Sequence, residues 1–310
     1  MEFFHKQTNF PFMATRKVWY GLSAVLMIGC FITFWMKGLN LALDFTGGVS
    51  VEVTFSKPID ADKVRQALAA AQFGEPQVQT FGSSRDIAIR LQPINQPNDV
   101  IKDRIIKALT TLDAGVVVQP PDIVGAQVGD ELKTSAVWAL VFTLAGIFIY
   151  LALRFHTWRL SVGAIFAVLH DPILVLGIFS ITQTPFDLAV VAAVLAVIGY
   201  SLNDTVVVFD RIRERFEKSR RLPPAVVLDQ AINQTLSRTI MTKVVTSIVV
   251  VALLLLGGPV LRGFSEALLI GIIAGTYSSI WISSAVALDC GLTAEHVFPS
   301  EKKSVIDDRP

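Results

Sequence analysis

Six long apolar stretches constrain the fold of this 310-residue chain more than any other feature. A transmembrane helix needs about 20 apolar residues to cross a hydrocarbon core of about 30 Å. The six stretches cover residues 18–36, 135–153, 160–181, 188–208, 240–257 and 264–288. Because 52% of the residues are hydrophobic and only 17% are charged, an ordinary soluble domain of this length is excluded. The sequence therefore predicts an α-helical polytopic membrane protein with six transmembrane helices.

The basic residues predict the orientation of these helices, because lysine and arginine in short flanks tend to stay in the cytoplasm. They precede the first span and crowd the loops after the second and fourth spans: Lys6, Arg16, Lys17, Arg154, Arg159, Arg211, Arg213, Arg215, Lys218, Arg220 and Arg221. Both terminal segments, 1–17 and 289–310, are therefore expected in the cytoplasm, and the segment between the first two spans outside it. Since membrane topology sorts the basic residues, they indicate no nucleic-acid partner.

The segment between the first two spans, residues 38–133, has the pattern of a small α+β domain. Residues 49–55 alternate as a strand, and Asp60 is a candidate N-cap for the helix that follows. Further strands are predicted at 78–81, 86–91 and 115–118, with a second helix at 99–112. The order βαββαβ is typical of a ferredoxin-like domain, a scaffold that hosts many functions. Residues 135–288 then form the five-helix remainder of the membrane domain.

Two glycine-containing segments, 38–48 and 121–132, join this domain to the membrane. One interpretation is that their glycines and Asp44 only build tight turns at the membrane surface. The other is that Asp44, Gly47, Gly48 and Gly129 form a hinge. The sequence leaves both interpretations open.

Asp204 is a carboxylate inside the otherwise apolar fourth span. At bilayer depth an ionisable side chain costs about 2.5–3.5 kcal/mol on insertion scales, so it usually faces other protein or water and serves transport. Helical spacing places Ser201 on the same face as Asp204, and Asn203 precedes it in the chain. These residues predict a polar site within the membrane.

A polar stripe in the fifth span is expected to face this site. Arg238 and Thr242 lie one turn apart on one face, at a depth similar to that of Asp204. A proton relay through Asp204, Arg238 and Thr242 is therefore a hypothesis, in which protonation of Asp204 weakens its pairing with Arg238. Lys243, in contrast, is expected to extend to the cytoplasmic surface.

The third span adds His170 and Asp171 near its centre. They are interpreted either as part of a water-filled proton path or as a buried cluster that holds helices together. The sequence contains no His/Cys set with metal-ligand spacing, no phosphate loop and no Ser/His/Asp nucleophile arrangement. No cofactor or catalytic centre is expected, and the coupling ion would be the proton.

Five motifs in this chain resemble the SecF branch of the SecD/SecF protein-export family, in the RND superfamily. The resemblance covers essentially the whole chain and rests on residues 38–48, 124–132, 169–171, 199–214 and 237–239. It departs from the family pattern at Ala42, where glycine is expected, and at Ala126-Gln127, where a proline often occurs.

The resemblance implies a function in the bacterial inner membrane, with the soluble domain in the periplasm. With SecD, the SecYEG translocon and also YajC and YidC as partners, such a subunit uses proton flow to draw unfolded preprotein outward. It implies that Asp204 is the acidic site, that Arg238 is its basic partner and that Thr242 lies one turn deeper. Two alternatives remain from the residues: a passive scaffold, and an intramembrane aspartyl protease that uses Asp171 and Asp204.

Overall fold

The computed structural model of the protein describes residues 8–298 except residues 75, 82, 93, 95 and 156. The elements in chain order are a 3₁₀ turn (Met13–Thr15), α1 (Arg16–Lys37), α2 (Leu43–Thr46), β1 (Gly48–Thr54), α3 (Ala61–Ala70), β2 (Gln77–Phe81), β3 (Ser83–Leu91), α4 (Asn98–Thr110), β4 (Val117–Val118), β5 (Asp122–Val124), α5 (Ala126–Arg154), α6 (Trp158–Thr182), α7 (Leu188–Lys218), α8 (Pro224–Leu256), α9 (Gly258–Tyr277), a π-helical turn (Ser278–Ile282), α10 (Ser283–Asp289) and α11 (Ala294–Val297). Parts of the predicted terminal segments, residues 1–7 and 299–310, lie outside the described residues.

Within the described residues, six helical segments are long and apolar enough to cross a membrane, which confirms the prediction of six spans. They are α1, α5, α6, α7, α8 and the continuous α9–α10 segment. Within their most apolar windows, 50–61% of the residues of α6, α7 and α9–α10 are buried, against 6–17% for α1, α5 and α8. The first three therefore form the centre of the helical bundle, and the other three present apolar surface to lipid or to another membrane chain.

Close helix packing in the centre depends on Gly163 of α6. A Cβ atom there would lie 2.3 Å from the carbonyl oxygen of Ser283 in α10, which is a backbone atom and cannot turn aside. Gly146 of α5, in contrast, has open space where its Cβ would be. Small residues let helix backbones approach closely in this way in membrane proteins.

We expect Gly163→Ala to destabilise the bundle by about 1–3 kcal/mol, because the added methyl group overpacks a fixed contact. Gly146→Ala is the matched control, and its effect should be neutral or stabilising by up to about 1 kcal/mol, since alanine favours helix. Thermal unfolding of both purified variants in detergent measures the difference. Equal melting temperatures would show that α6 and α10 separate easily at this contact.

The last span is interrupted by the π-helical turn Ser278–Ile282. Buried serines surround it and bond back to the helix: the Oγ of Ser279 donates to the carbonyl oxygen of Gly275 at 2.7 Å, and the Oγ of Ser283 to that of Ser279 at 2.7 Å. A π-turn widens the helix by one residue and is frequent at functional sites. Here it begins next to Tyr277 and at Ser278, whose side chains hydrogen-bond to residues of α6.

Residues 48–124 form a separate α+β unit, called here the sheet domain. All its strand pairs are antiparallel, the strand order is β2-β3-β1-β4, and β5 also pairs with β1. Gln119 donates its backbone N–H to Glu52 at 2.9 Å, but Pro120 and Pro121 offer no N–H. The two prolines therefore separate β4 from β5 along one edge of β1.

The core of the sheet domain lies between the sheet and the two helices α3 and α4. Alternate residues of β1 and β3 point into it, and the helices contribute residues at three- and four-residue spacing. Its fully buried members include Val49, Val51, Val53, Ile87, Ile89, Val64, Leu68, Ile101, Ile105 and Leu109. Among the residues that the structure describes, this core shares no buried residue with the clusters of the helical bundle.

Residues 38–47, called here the strap, connect α1 to the sheet domain and lie along the loop before α7. Backbone bonds of 2.8 Å run from Ala42 N–H to the carbonyl of Phe186 and from Phe186 N–H to the carbonyl of Asn40. The Asn40 side chain adds a 2.8 Å bond to the carbonyl of Gln183. Hydrogen bonds therefore hold the strap against the membrane domain.

Candidate functional site

Asp204 of α7 forms an ion pair with Lys243 of α8 in the interior of the helical bundle. Lys243 Nζ lies 2.7 Å from Asp204 Oδ2, and the two residues are only 4% and 6% exposed. The two atoms are poorly aligned for a hydrogen bond, and neither has a hydrogen-bond partner among the described residues. The positive charge of Lys243 and the negative charge of Asp204 thus balance each other, but Nζ and Oδ2 still have unused capacity to form hydrogen bonds.

Tyr200 covers the ion pair on one side. Lys243 Nζ lies 4.2 Å from the centre of the Tyr200 ring, a cation–π contact. The Tyr200 hydroxyl donates to the backbone carbonyl of Thr242 at 3.0 Å and lies 2.8 Å from the hydroxyl of Thr246. Because Tyr200 and Asp204 are one turn apart on α7, a single helix face carries both contacts to α8.

The expectation that Arg238 pairs with Asp204 and that Lys243 extends to the surface is wrong for this structure. Arg238 is exposed, and Lys243 takes the place beside Asp204. Five residues turn an α-helix by about 140°, so the two basic side chains lie on different faces. The buried face of α8 carries Leu236, Thr239, Lys243 and Val250. Their spacing of three, four and seven residues is the sequence signal that could have found Lys243.

A groove of about 400 Å³ opens beside the ion pair between α7 and α8. Its lining includes Asp204, Asn203, Thr242 and Met241. Asn203 and Thr242 are both exposed along the apolar spans, but the Thr242 hydroxyl already donates to the carbonyl oxygen of Thr239 at 3.0 Å, so it is the Asn203 amide that needs a neighbour. A polar side chain at that depth needs a hydrogen-bonding neighbour, which lipid tails do not provide. The groove therefore has the character of a surface that another membrane protein or water covers.

Asp171 of α6 lies at the centre of a second polar cluster and is fully buried. Its Oδ1 is 3.0 Å from Nδ1 of His170, and its Oδ2 accepts bonds from the hydroxyls of Ser201 and, at 3.0 Å, Ser278. Tyr277 hydrogen-bonds to the other ring nitrogen of His170. The cluster thus ties α6 to α7 and to the π-turn. Sequence reasoning had not placed Tyr277 or Ser278 in a polar site.

The two clusters meet on α7, where Ser201 bonds to Asp171 and Asp204 follows three residues later. Gly275 of α9 makes this approach possible, since a Cβ there would lie 3.2 Å from Asp171 Oδ2 and 3.3 Å from the Ser201 side chain. A rotation of α7 that moved Asp204 would also move Ser201. Of the predicted residues, the structure brings together Asp171 and His170 of α6 with Ser201 of α7. Asn203 and Asp204 follow Ser201 within one turn of α7.

The hinge candidates lie where the strap meets the membrane domain. Asp44 Oδ2 accepts the N–H of Leu188 at 2.9 Å, so the strap caps the first turn of α7. A Cβ on Gly129 of α5 would lie 3.0 Å from the backbone nitrogen of Gly47. Gly48 has a φ of +126°, and a Cβ there would lie 2.4 Å from the carbonyl oxygen of Leu91. These positions need glycine for tight packing and for the turn into β1.

Asp187 is a second carboxylate at the start of α7, and its Oδ1 accepts the N–H of Val190 at 2.8 Å. Burial raises the pKa of the Asp187 carboxyl, and the neighbouring Asp44 adds to the rise, whereas the Val190 N–H and Arg90 of β3 oppose it. Burial also lowers the pKa of Arg90, against the effect of the two carboxylates. Three charged groups from the strap, the sheet domain and α7 thus share one partly buried location.

We expect this junction to be more stable in mild acid. Because the folded-state pKa of Asp187 is raised, its contribution to stability is fully present below about pH 4 and is lost as the pH rises through the folded-state pKa. Asp187→Asn keeps an oxygen for the cap and removes the titration. The melting temperature of the wild type, relative to that of the variant, should therefore fall from about pH 4 to pH 7. An unchanged difference over this range would contradict the assignment.

The described part of the chain contains no group of three or more His, Cys, Asp or Glu side chains arranged to hold a metal ion. The ionisable groups at the centre of the bundle are instead the Asp204–Lys243 pair and the His170–Asp171 cluster. Such groups can hold and release protons and can exchange ion-pair partners. Six spans around buried, paired charges define a polytopic α-helical membrane protein with the characteristics of a transport component.

The chain belongs to the SecD/SecF family of protein export membrane proteins. Residues 104–293 match the family model for the SecD/SecF C-terminal region, and residues 32–59 match that for the SecD/SecF GG motif. The GG motif contains the strap, Gly47 and Gly48. These matches confirm the resemblance found in the sequence and the connection with protein transport.

Full-length relatives give the same result. The chain is 45% identical to protein translocase subunit SecF of Vibrio alginolyticus, over 94% of this chain and 92% of that protein. It is 40% identical to SecF of Escherichia coli O157:H7, over 99% and 95% of the two chains. The crystal structure of SecDF from Thermus thermophilus, a translocon-associated membrane protein, superposes with a TM-score of 0.83 at 34% identity. That match covers 91% of this chain but only 39% of the SecDF chain.

Proposed function

We propose that this protein is a proton-motive-force-driven subunit of the protein-export machinery, which promotes translocation and release of preproteins across the bacterial inner membrane. The observation that carries the proposal is the Asp204–Lys243 ion pair, buried between two spans and covered by Tyr200. A passive helical bundle gains little from such a pair, since apolar residues of similar volume are often as stable or more stable.

Protonation of Asp204 would change the charge balance of this pair. Lys243 would lose its counter-charge, and its desolvation would then favour a movement of α8 relative to α7. A membrane potential supplies about 2.3 kcal/mol per elementary charge per 100 mV, which shifts a two-state equilibrium about fiftyfold. One proton per cycle is therefore enough to bias two arrangements of these helices.

The strap provides a route from α7 to the sheet domain. Because Asp44 caps α7 and is followed within four residues by β1, a displacement of α7 acts directly on the first strand. We propose that the sheet domain is a ferredoxin-like domain in the periplasm and that Gly47, Gly48 and Gly129 allow it to move. The domain's separate core lets it move as one body.

The proposed membrane partner is SecD, and the groove beside Asp204 is the surface that we assign to it. Because the match covers only 39% of the SecDF chain, that chain has room for a second half of similar size. Transporters of this size often consist of two related halves. Exposed Asn203 in the groove, and exposed Arg238 one helical turn before the groove residue Thr242, would find hydrogen-bonding neighbours in that interface. Arg238 would thus act in the relay when the partner closes the groove, not in the isolated chain.

SecYEG, and also YajC and YidC, are proposed as further partners, with unfolded preprotein as the transported substrate. The coupling ion is the proton, without a bound cofactor, and the protein is not an enzyme. Basic loops on the opposite side from the sheet domain support cytoplasmic termini. Arg154, the last residue of α5 before one such loop, is paired to Asp210 at 2.6 Å.

The test is export in inverted membrane vesicles that contain this chain, its SecD partner and the translocon. Preprotein is allowed to enter with ATP, the ATP is then exhausted, and a proton gradient is imposed. We expect translocation to be completed with the gradient and to stop when an ionophore collapses it. If completion is the same with and without the gradient, the scaffold interpretation replaces the motor interpretation.

A further inference from the structure

A cleft of about 830 Å³ lies between the strap and one edge of the sheet domain. Its size is within the range of about 300–1,000 Å³ typical of ligand sites. The strap contributes one wall and the edge strand β2, the end of β3 and helix α3 contribute the other. The lining residues that the argument uses are Asn40, Gln77, Val78, Gln79, Arg90 and Gln183.

The strand that borders the cleft has a free edge. In the described part of the sheet β2 pairs only with β3. The Val78 carbonyl oxygen accepts a hydrogen bond from Arg65 Nη2 at 3.5 Å. This carbonyl therefore points away from β3 and towards the outside of the sheet. Arg65 is about half exposed and ion-paired to Asp62, so this long contact is easily replaced. An exposed strand edge is a template for another extended chain.

The side chains of the cleft suit a neutral, hydrogen-bonding ligand. Gln77 and Gln79 each offer both donors and acceptors, and Nη1 of Arg90 is buried without a hydrogen-bond partner in the described residues. The side-chain amide nitrogens of Asn40 and Gln183 already donate to the carbonyl oxygens of Gln183 and Ser180, so these two residues contribute mainly acceptor oxygens. The positive charge of Arg90 is already opposed by nearby Asp187 and Asp44. The cleft therefore does not select strongly for an anion, and main-chain amides match it best.

We propose that this cleft binds an extended segment of unfolded polypeptide, which adds to the β2 edge as a further strand. Main-chain bonds to β2 would supply affinity, and the amide side chains and Arg90 Nη1 would bond to the remaining peptide groups. Such recognition reads backbone and not sequence, as a subunit that handles many preproteins requires. The inference rests on the proposed function, because it names the surface that holds the preprotein during a cycle.

The two walls of the cleft belong to different parts of the molecule. One wall, the strap, is bonded to the start of α7, and the other belongs to the sheet domain. A movement of the sheet domain about Gly47 and Gly48 would change the width of the cleft. Binding and release of the polypeptide would therefore follow the state of the helices that carry Asp204.

The test is site-specific photo-cross-linking in the full chain, assembled with its partners in vesicles that hold an arrested preprotein. A benzoylphenylalanine residue replaces Gln79 in the cleft or, as matched control, exposed Asp103 on α4, which does not line the cleft. We expect preprotein adducts at position 79 to exceed those at 103 several-fold. Equal yields, or an adduct at 79 with another membrane subunit in place of preprotein, would overturn the proposal.

A second pair of variants tests strand addition. Thr80 lies two residues after Val78, so its N–H points to the same outer edge. Thr80→Pro removes that donor and Thr80→Val keeps it, and proline is tolerated at sheet edges. The adduct at 79 should fall several-fold in the first variant only, with protein level and melting temperature as the check on folding. If the yield is unchanged in a folded Thr80→Pro protein, strand addition is wrong.

Export in the same vesicles separates the two hypotheses. Proton-driven completion without an adduct at position 79 rejects the cleft and leaves the proposed function intact. An adduct at 79 without any effect of the proton gradient on export rejects the proposed function and keeps the cleft as a polypeptide site.

Discussion

Replacing Asp204 by asparagine is expected to abolish the proton-driven phase of export while the ATP-driven phase continues. Asparagine has nearly the same shape but cannot take up or release a proton, so the charge on this part of α7 no longer changes. Since each cycle of the proposed motor requires that change, we expect a loss to the level seen with ionophore. The measurement is gradient-dependent completion of translocation in vesicles after ATP is exhausted.

Asp204→Asn also leaves Lys243 buried without its counter-charge. Removing one partner of a buried ion pair typically costs about 3–5 kcal/mol, so the single variant can lose activity through instability alone. The double variant Asp204→Asn with Lys243→Met removes both charges and keeps similar volumes. We expect it to regain most of the lost melting temperature and to remain inactive in gradient-driven export.

The single and double variants together distinguish a structural role of the ion pair from a role in proton coupling. An unstable single variant with a stable, inactive double variant shows that the proton site itself is needed. A double variant that is stable and exports as well as the wild type would show that the ion pair only holds α7 and α8 together.

Replacing Lys243 by methionine is the second change with a large expected effect. The Asp204 carboxylate would then be buried without a cation beside it, and breaking a buried ion pair in this way is strongly destabilising. Gradient-driven export should be lost, and the melting temperature should fall, because the ion pair and the cation–π contact with Tyr200 disappear together.

Arg238→Met is the matched comparison, since it removes the same charge from the same helix at an exposed position. We expect little change in the melting temperature of the isolated chain. Any loss of export should appear only in the complex with SecD, where the groove is covered. If Arg238→Met destabilised the isolated chain as much as Lys243→Met, the assignment of Lys243 as the partner of Asp204 would be wrong.

The contacts of the two carboxylates also argue against the protease alternative. In a proteolytic dyad two carboxyl groups share one proton at about 3 Å. Here Asp171 is held by His170, Ser201 and Ser278, whereas Asp204 is paired with Lys243. Each carboxylate has its own partners on different helices.

Sequence reasoning was most reliable where a requirement is local or periodic. Long apolar runs predicted the six spans, since a segment in lipid must satisfy its backbone groups within one helix. Alternation and turn residues indicated the strands and helices of the sheet domain. It was least reliable for the partner of Asp204, because Arg238 and Lys243 differ only in the direction that each faces.

Two features had no sequence signal strong enough to use. Asp44 was interpreted as a turn or hinge residue, but its role as a cap depends on the N-terminus of a helix that begins 144 residues later. The π-turn at Ser278–Ile282 depends on packing against α6, and a run of serines alone does not distinguish it from regular helix.

The sequence by itself determined that the chain spans a membrane six times, that it carries an α+β unit between the first two spans and that Asp204 is buried at a high cost. These follow from hydrophobicity and periodicity, which act along the chain. Only the tertiary structure decided that Lys243 neutralises Asp204, that Ser201 links it to Asp171 and that the strap caps α7. The physical reason is that a buried charge is stabilised by whichever opposite charge the helix rotations place within a few ångströms, and rotation is fixed by packing between helices.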